Sequence, residues 1–423
     1  MLSESDLLKS LDDEPGTPST VDVHRAITAG RRRVVRRGAG YAGAAAATAL
    51  AVAGVSVAGG LLGTASPHAS TGAAASVAPK PYRTIPGTAG RVPPASPPTS
   101  CTISQLPVPD NAPKALIGGA DPAGHYFVGR SYPKAGTYQA VLWHDGTGQD
   151  VLLPGDVEEN LTDVNSAGTA VGWSYPDKGS AAAGPIPYVY QGGKVVALPG
   201  VRHGSAYAVN DAGAIVGEDE DLHAAVVWPS ASAKPIRLPV PAGTKEAVAR
   251  DIDEDGTTVG ILDHDRPYVW FPDGTHRELP LPSLAGKPAV TGTVTSVRNG
   301  WATGMAASDT GRGDPKSGAA GKATGVGAVS VRWNLRTGEM SVSSVLRYPA
   351  EAVNAQGWLI GTDKQGQAVL VAGARTVVLP DLTGRSVGGN SVIPNAVSDD
   401  GRTIAGQAEN AAGTDQPVVW RCR

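Results

Sequence analysis

Short apolar segments and polar, glycine-containing turns alternate along most of this chain, without helical periodicity inside the units that they form. One representative stretch is Ala208-Val209-Asn210-Asp211-Ala212-Gly213, followed by Ile215-Val216-Gly217. The same pattern occurs seven times, with turn glycines at Gly124, Gly168, Gly213, Gly256, Gly300, Gly357 and Gly401. Their spacings are 44, 45, 43, 44, 57 and 44 residues. A fixed period of this length predicts a repeat architecture.

Each repeat contains two further landmarks. One apolar segment ends in an aromatic residue, at Trp143, Tyr190, Trp228, Trp270, Trp333 and Trp420, and at Val371 in the sixth repeat. A later segment ends in Leu-Pro, at Pro154, Pro199, Pro239, Pro280 and Pro380, with Val345-Leu346 in the fifth repeat. Together with one segment on each side of the glycine turn, these predict four strands per repeat. The expected fold is therefore an all-β, seven-bladed β-propeller of four-stranded blades over residues 101–423.

The two ends of the repeat region complement each other. The last repeat stops at Cys422-Arg423 without its fourth strand, whereas Thr102 to Pro107 matches that strand and precedes the first repeat. We therefore predict closure by the N-terminal strand. Cys101 and Cys422, the only cysteines, flank this seam and are expected to form a disulfide worth on the order of 5 kcal/mol, because it closes a very long loop. The alternative is a pair of free thiols.

The N-terminal region predicts a membrane anchor. Residues 1–37 are polar and end in an arginine-rich segment, and 38–64 contain an uncharged, Ala/Gly/Val/Leu-rich run. The 24 residues from Tyr41 to Thr64 would form a helix of about 36 Å, which is enough to cross the hydrocarbon core. The positive-inside rule places residues 1–37 in the cytoplasm and the propeller outside. The alternative is a long signal peptide, with secretion after cleavage.

Two segments lack the composition of a folded domain. Residues 65–100 are rich in Ala, Pro, Ser and Thr, and they predict a semi-extended stalk. Residues 1–37 predict a largely disordered tail, with one short helix from Ser5 to Leu11 as the candidate contact for a cytoplasmic partner.

Charge limits the classes of partner. The propeller region carries 26 basic and 33 acidic residues, which argues against a nucleic-acid surface. The sequence has no His-Glu-x-x-His motif and no phosphate-binding loop. We therefore assign no catalytic residue, metal ligand or cofactor.

One acidic stretch resembles a calcium loop. Asp251, Asp253 and Asp255 precede Gly256 with the right spacing, but the twelfth position is Leu262 and cannot supply the bidentate carboxylate. Because the stretch coincides with the glycine turn of its repeat, we interpret it as a hairpin turn. The Asn, Asp and Gly residues of all these turns are expected to supply positive φ angles.

A group of acidic residues and histidines falls on loops that one rim of a propeller would bring together. The strongest candidates come from blades two to four and are Asp156, His203, Asp219, Asp221, His223, Asp263 and His264. Such a patch would suit a metal, a cationic ligand or a sugar. The alternative is an ordinary solvated loop rim.

The repeat resembles the HAF repeats of bacterial extracellular proteins, and more broadly WD40-like propellers. His223-Ala224-Ala225-Val226-Val227-Trp228 is similar to the first half of that repeat, and the stretch from Ala208 to Gly217 is similar to the second. The resemblance covers residues 101–423 and implies a β-propeller outside the membrane. It implies no catalytic residues.

Three functional hypotheses follow. The first is a membrane-anchored, non-catalytic binding or sensing propeller whose ligand is an extracellular protein, peptide or glycan. The second is an extracytoplasmic carbohydrate-active enzyme, a lyase or hydrolase, that uses the acidic and histidine rim. The third is a transmembrane signalling regulator that acts through residues 1–37.

Overall fold

The computed structural model describes residues 85–88, 92–134, 137–155, 158–175, 184–308, 328–383 and 392–423, all of them in the compact unit Ala78–Arg423. The predicted tail, the predicted span and most of the predicted stalk lie outside these ranges. Within them, no helix combines the length and the apolar character needed to cross a membrane.

The described residues form the predicted seven-bladed propeller, in which every blade is a four-stranded antiparallel meander. We call the strands of a blade A to D from the channel outward. Blade 1 comprises β2 (Ala115–Ala120), β3 (Tyr126–Lys134), β4 (Thr137–His144) and β5 (Thr147–Val151). Blade 2 comprises β6 (Glu159–Val164), β7 (Ala170–Ser174), β8 (Ile186–Gln191) and β9 (Lys194–Ala197). Blade 3 comprises β10 (Gly204–Val209), β11 (Ile215–Asp219), β12 (Ala224–Trp228) and β13 (Ile236–Arg237).

The remaining blades have the same order. Blade 4 comprises β14 (Ala247–Ile252), β15 (Thr258–Leu262), β16 (Arg266–Trp270) and β17 (His276–Glu278). A small hairpin of β18 (Ser283–Leu284) and β19 (Lys287–Pro288) precedes blade 5, which comprises β20 (Thr291–Arg298), β21 (Trp301–Ala307), β22 (Ala328–Asn334) and β23 (Met340–Val342). Blade 6 comprises β24 (Ala352–Val353), β25 (Leu359–Thr362), β26 (Ala368–Ala372) and β27 (Arg375–Val378).

Blade 7 confirms the predicted closure. Its strands A to C are β28 (Val392–Val397), β29 (Thr403–Glu409) and β30 (Asp415–Cys422), and its strand D is β1 (Cys101–Gln105), which a 3₁₀ turn at Pro109–Asn111 connects to blade 1. Cys101 and Cys422 are register partners and form the disulfide. The first and last strands of the propeller are therefore joined covalently as well as by strand pairing.

The two landmarks of the repeat are joined by hydrogen bonds between blades. Five tryptophans at the end of strand C are almost fully buried, and the indole N–H of each donates to a proline carbonyl of the preceding blade. The pairs are Trp143 with Pro107 (2.7 Å), Trp228 with Pro199 (2.9 Å), Trp270 with Pro239 (2.6 Å), Trp333 with Pro280 (2.7 Å) and Trp420 with Pro380 (2.8 Å). A buried indole needs such a partner. The recurrence of Trp and Leu-Pro thus reflects one repeated contact.

The first residue of the A–B turn also links neighbouring blades. The side-chain amides of Asn165, Asn210, Asn299 and Asn354 each donate to a turn carbonyl of the next blade, at 3.0, 3.3, 2.9 and 3.1 Å. In blade 4 the Asp253 carboxylate accepts instead, from the backbone amides of Asn299 (2.8 Å) and Gly300 (2.6 Å). We call this ring of contacts the turn belt. The surface that carries the A–B turns is the turn face, and the opposite surface, with the B–C loops and the connections between blades, is the rim face.

The turn belt corrects one sequence-based interpretation. Asn165, Asn210 and Asn354 do not have positive φ angles; in these turns the glycines adopt that conformation, and Asn299 is the exception, at φ 48°. The Asn side chains instead cap their own turn, as Asn210 does for the Ala214 amide at 2.9 Å, while the amide nitrogen contacts the next blade.

The end of the predicted stalk packs on the propeller. Ile85 is fully buried in the core between blades 3 and 4. Further along, the Gln356 side-chain amide donates to the Pro93 carbonyl at 2.9 Å and accepts the Ala95 backbone amide at 3.2 Å. The Thr99 amide donates to the carbonyl of Arg423 at 2.5 Å. Residues 85–88 and 92–100, which we call the strap, therefore lie across the turn face, whereas the sequence placed all of 65–100 in a stalk.

Candidate functional site: the axial channel

The inner strands carry a β-bulge in six of the seven blades. The register shifts lie at Gly118, Thr162, Tyr207, Arg250, Thr295 and Asn395. A bulge re-aims a side chain that would otherwise follow the pleat. All six bulged residues line a cavity of about 260 Å³ on the propeller axis, and Glu351 of blade 6 joins them.

One part of the channel wall is a cluster of aromatic and charged groups from blades 3 and 4. The Tyr207 hydroxyl donates to the Glu218 carboxylate, and the Arg250 guanidinium lies 4.7 Å from the centre of the Tyr207 ring. Burial and the neighbouring Glu218 raise the pKa of Tyr207, so its hydroxyl remains protonated. Burial also raises the pKa of Glu218, against the opposing effects of Tyr207 and Arg250. A second small cavity of about 130 Å³ extends from Arg250 and Glu218 to His264 on the rim face.

Two aspartates follow bulged positions in blades 2 and 4. The Asp163 carboxylate accepts the Val209 amide at 2.9 Å, and the Asp251 carboxylate accepts the Val297 amide at 2.7 Å, so each binds the next blade. Burial, together with the charge of Asp251, raises the pKa of Asp163 well above its ordinary value. Burial raises the pKa of Asp251 to about 7. The channel wall thus contains one carboxyl group, that of Asp251, with a pKa of about 7, and a second, that of Asp163, whose pKa is raised.

An arginine spans the channel at the turn face. Arg298 of blade 5 donates to Glu254 of blade 4 at 2.7 Å and, with two nitrogens, to Asp399 of blade 7 at 2.7 and 2.8 Å. Glu254 in turn accepts the Asp211 amide at 2.8 Å. These ion pairs raise the pKa of Arg298 despite its burial. We call this three-residue contact the Arg298 bridge.

Glu351 differs from the other acidic residues of the channel. Glu351 is exposed and lines the channel, yet desolvation by the surrounding protein raises its pKa. Among the described residues, nothing forms a hydrogen bond or an ion pair with its carboxylate. A ligand in the channel would therefore find this carboxylate available.

The structure brings some of the predicted rim residues together, but only in separate pairs. The imidazole Nδ1 of His203 lies 3.0 Å from the Asp221 carboxylate, and Arg202 lies 3.1 Å from it. Both contacts lower the pKa of Asp221. His264 lies 3.1 Å from Glu246, a residue that the sequence analysis did not select. Asp263 accepts two backbone amides, from Lys245 and Glu246, and pairs with Arg266 at 3.2 Å.

The other rim candidates do not join these pairs. Asp219 is buried and accepts the Leu222 amide at 3.2 Å, and His223 has a positive φ of 50° on the exposed B–C loop. Asp156 lies outside the described residues. Within the described ranges, no group of three His, Cys, Asp or Glu residues could hold a metal ion.

The hairpin turn interpreted from the sequence comprises Asp253 to Gly256, with the Gly256 amide bonded to the Asp253 carbonyl at 2.9 Å, and Asp251 lies in the preceding strand β14. The sequence analysis missed that Asp251 faces the channel. The signal would have been an acidic residue at a position where other repeats have Ala or Ser, such as Ala208, Ser296 and Ala396.

The fold and this site define the class of the protein as a seven-bladed β-propeller with a polar axial channel. No protein-family model matches the chain, and no curated protein matches it. Several solved structures are similar to it, among them the following three.

A catalytically inactive virginiamycin B lyase from Staphylococcus aureus with quinupristin is 14% identical; the match covers 77% of this chain and 100% of that chain, with a TM-score of 0.48. YCF48 bound to D1 peptide is 13% identical over 78% of this chain and 98% of that one, with a TM-score of 0.43. Oligogalacturonate lyase from Vibrio parahaemolyticus is 10% identical over 78% and 98%, with a TM-score of 0.46. The activities and ligands in these names belong to those proteins.

Proposed function

We propose that this protein is a membrane-anchored, extracytoplasmic propeller that binds a ligand without transforming it, in the manner expected of a HAF-repeat protein. In this proposal residues 38–64 form the anchor, and the ligand enters the axial channel. The observation that carries the channel assignment is Glu351, whose carboxylate faces the cavity without a partner among the described residues. Desolvating such a group costs free energy that a ligand can recover.

The charges of the channel favour a cationic group. Arg298 is matched by Glu254 and Asp399, and Arg250 lies beside Glu218. The Glu351 carboxylate then has no cation among the described residues to balance it, and Asp163 and Asp251 add no positive charge to the cavity. A cavity of about 260 Å³ accommodates a side chain or a small molecule rather than a folded domain. We therefore expect a primary amine or a guanidinium, presented by a peptide or by an amino sugar of a glycan.

The test is a screen of purified full-length protein in detergent against peptide and glycan arrays, followed by calorimetric titration of each hit. Glu351→Gln should weaken the binding of a cationic hit at least tenfold. Glu409→Gln, which changes an acidic residue at the B–C loop of blade 7, is the matched control and should bind like the wild type. Equal affinity of all three proteins would contradict the channel assignment.

The carbohydrate-active alternative rests on one contact. A histidine oriented by a carboxylate can act as a general base, and His203 with Asp221 has that geometry. In this case His203→Ala would abolish the turnover of an acidic or neutral oligosaccharide that the wild type cleaves. Unchanged oligosaccharides after prolonged incubation with the wild type would exclude this function for the substrates tested.

The signalling alternative concerns residues 1–37. Their use as bait in a pull-down from the source cell should recover one saturable partner if the protein regulates a cytoplasmic factor. Recovery of nothing beyond what a scrambled sequence of the same charge captures would contradict it.

A further inference from the structure

The seams between blades are covered at the turn face in two ways. The ring of Tyr126 lies against Gly168, that of Trp301 against Gly357 and that of Trp358 against Gly401. At these three seams, an aromatic residue that follows one turn covers the turn glycine of the next blade. Blade 3 has the small Ala214 directly after its turn glycine, and no aromatic ring from this blade lies on Gly256.

Ile85 of the strap fills the seam between blades 3 and 4. Its side chain is fully buried among Ala214 of blade 3 and Tyr268 and Trp270 of blade 4. Its carbonyl oxygen lies over Gly256, where a Cβ would approach it to 2.7 Å. A residue from outside the repeats therefore completes this part of the core.

The backbone around Ile85 is held by directional contacts. The side-chain amide of Asn210 donates to the Pro86 carbonyl at 2.8 Å, and the Thr88 amide donates to the Glu254 carbonyl at 2.5 Å. A Cβ on Gly87 would lie 2.2 Å from the backbone carbon of Asp255, so a larger residue does not fit there. An apolar socket, two hydrogen bonds and a glycine-only contact together select a short sequence.

We propose that the seam between blades 3 and 4 is a peptide-recognition socket for an apolar-Pro-Gly segment, occupied in cis by Ile85-Pro86-Gly87. The same segment supplied in trans, as from a second copy of this chain, would compete for the socket. Proline reduces the conformational entropy that such a peptide loses on binding. This proposal is independent of a ligand in the axial channel.

The strap also covers a cavity on the turn face. Thr88 and the stretch from Val92 to Ala95 line a space of about 850 Å³ together with Arg298, Asp399 and Arg336 of the propeller. The far part of the strap is tied to blade 6 through Gln356. Exchange at the socket would therefore uncover the face of the propeller that the Arg298 bridge closes.

The experiment measures the binding of a labelled peptide that copies residues 83–100 to full-length protein by fluorescence anisotropy. The wild-type chain, with its socket occupied, should bind the peptide at least tenfold more weakly than two variants that release the strap, Ile85→Ser and Gly87→Ala. The second variant leaves the socket residues and the propeller core unchanged, and circular dichroism verifies that both proteins are folded.

Peptide variants serve as controls that cannot affect folding. The same peptide with Ile85→Ser or Gly87→Ala should bind the released chains at least tenfold more weakly than the natural sequence. Failure of both strap variants to bind the natural peptide would overturn the proposal. Binding that is indifferent to both peptide substitutions would also overturn it, because it would show nonspecific adhesion.

Discussion

The two ends of the axial channel use polar residues differently. At the turn face, side chains link one blade to another: the turn belt joins neighbours, and the Arg298 bridge connects blades 4, 5 and 7. At the rim face, the predicted candidates pair within one blade, as His203 does with Asp221 and His264 with Glu246. Side chains at positions fixed by the repeat therefore link blades at the turn face, whereas these two rim pairs each lie within a single blade.

The carboxyl groups differ in the same way. Burial raises the pKa of Asp251 in the channel to about 7. On the rim face, backbone amides and Arg266 outweigh partial burial and lower the pKa of Asp263. Asp251, which links two blades, thus keeps its proton to a higher pH than an ordinary aspartate, whereas Asp263, which organises a loop, loses its proton at a lower pH.

The strongest tie at the turn face is covalent. Replacement of both Cys101 and Cys422 by Ser should lower the free energy of unfolding by about 3–5 kcal/mol, because the open chain regains conformational entropy. Denaturant titration of oxidised, reduced and substituted protein measures this loss. If reduction leaves the unfolding midpoint unchanged, strand pairing alone closes the ring.

Arg298→Met should have the next largest effect, about 2–3 kcal/mol. The substitution leaves Glu254 and Asp399 without their cation, and their side chains are only 19% and 20% exposed. The matched control at the rim face is Arg266→Met, which removes two ion pairs of a side chain that is 34% exposed and should cost less than about 1 kcal/mol. If thermal unfolding shows the same loss of stability for both variants, ion pairs at the turn face are no more stabilising than those at the rim face.

The pH dependence of stability should differ between channel and rim. Native Asp251 keeps its proton to about pH 7, whereas in the unfolded chain it loses the proton near pH 3.8. The contribution of Asp251 to the free energy of unfolding is therefore full below about pH 4 and decreases as the pH rises to 7. One pKa unit corresponds to about 1.4 kcal/mol, and because Asp251 is only partly buried we expect about 2 kcal/mol in total.

Asp251→Asn should flatten that decline between pH 5 and pH 8. Asp263→Asn should leave it unchanged, because the stabilisation from Asp263 is lost only at lower pH. Melting temperatures across this pH range distinguish the two variants. The same slope in Asp251→Asn as in the wild type would assign the decline to another group.

The smallest effect concerns one contact of the turn belt. Asn354→Asp retains the side-chain oxygen that accepts the Gln356 and Trp358 amides but removes the donor to the Ser398 carbonyl, and should cost about 1 kcal/mol. Asn410→Asp is a close control, because Asn410 caps a similar turn at the rim face through its oxygen, at 2.9 and 3.1 Å. A comparable loss in both variants would show that the belt donor adds nothing.

The fold could be predicted from the sequence because the residues that recur in each repeat make the same contact in each blade. A Trp and a Pro recur at the positions of Trp143 and Pro107 because the hydrogen bond between them recurs from blade to blade. Cys101 and Cys422 indicated where the first and last strands meet. The site could be predicted only in part. The structure does bring His203 and Asp221 together, with 3.0 Å between Nδ1 and the carboxylate. The other described rim loops do not converge on this pair, because the path of each loop depends on its own sequence and not on the period of the repeat.

The channel and the strap were beyond the sequence patterns for different reasons. A bulge shifts Arg250 into the channel without changing the repeat length. Ile85 is a single apolar residue in a proline-rich segment, and its burial depends on a gap left by Ala214 some 130 positions later in the chain. Neither the bulge at Arg250 nor the burial of Ile85 produces a pattern in the neighbouring sequence.

The bond between Cys101 and Cys422 has a consequence for proteolysis. A protease that cuts any one peptide bond between these residues produces two fragments, one containing Cys101 and the other containing Cys422, and the disulfide still joins them. Outside a reducing environment, a single nick therefore sheds no part of the propeller. Release requires two cuts, or one cut on the N-terminal side of Cys101.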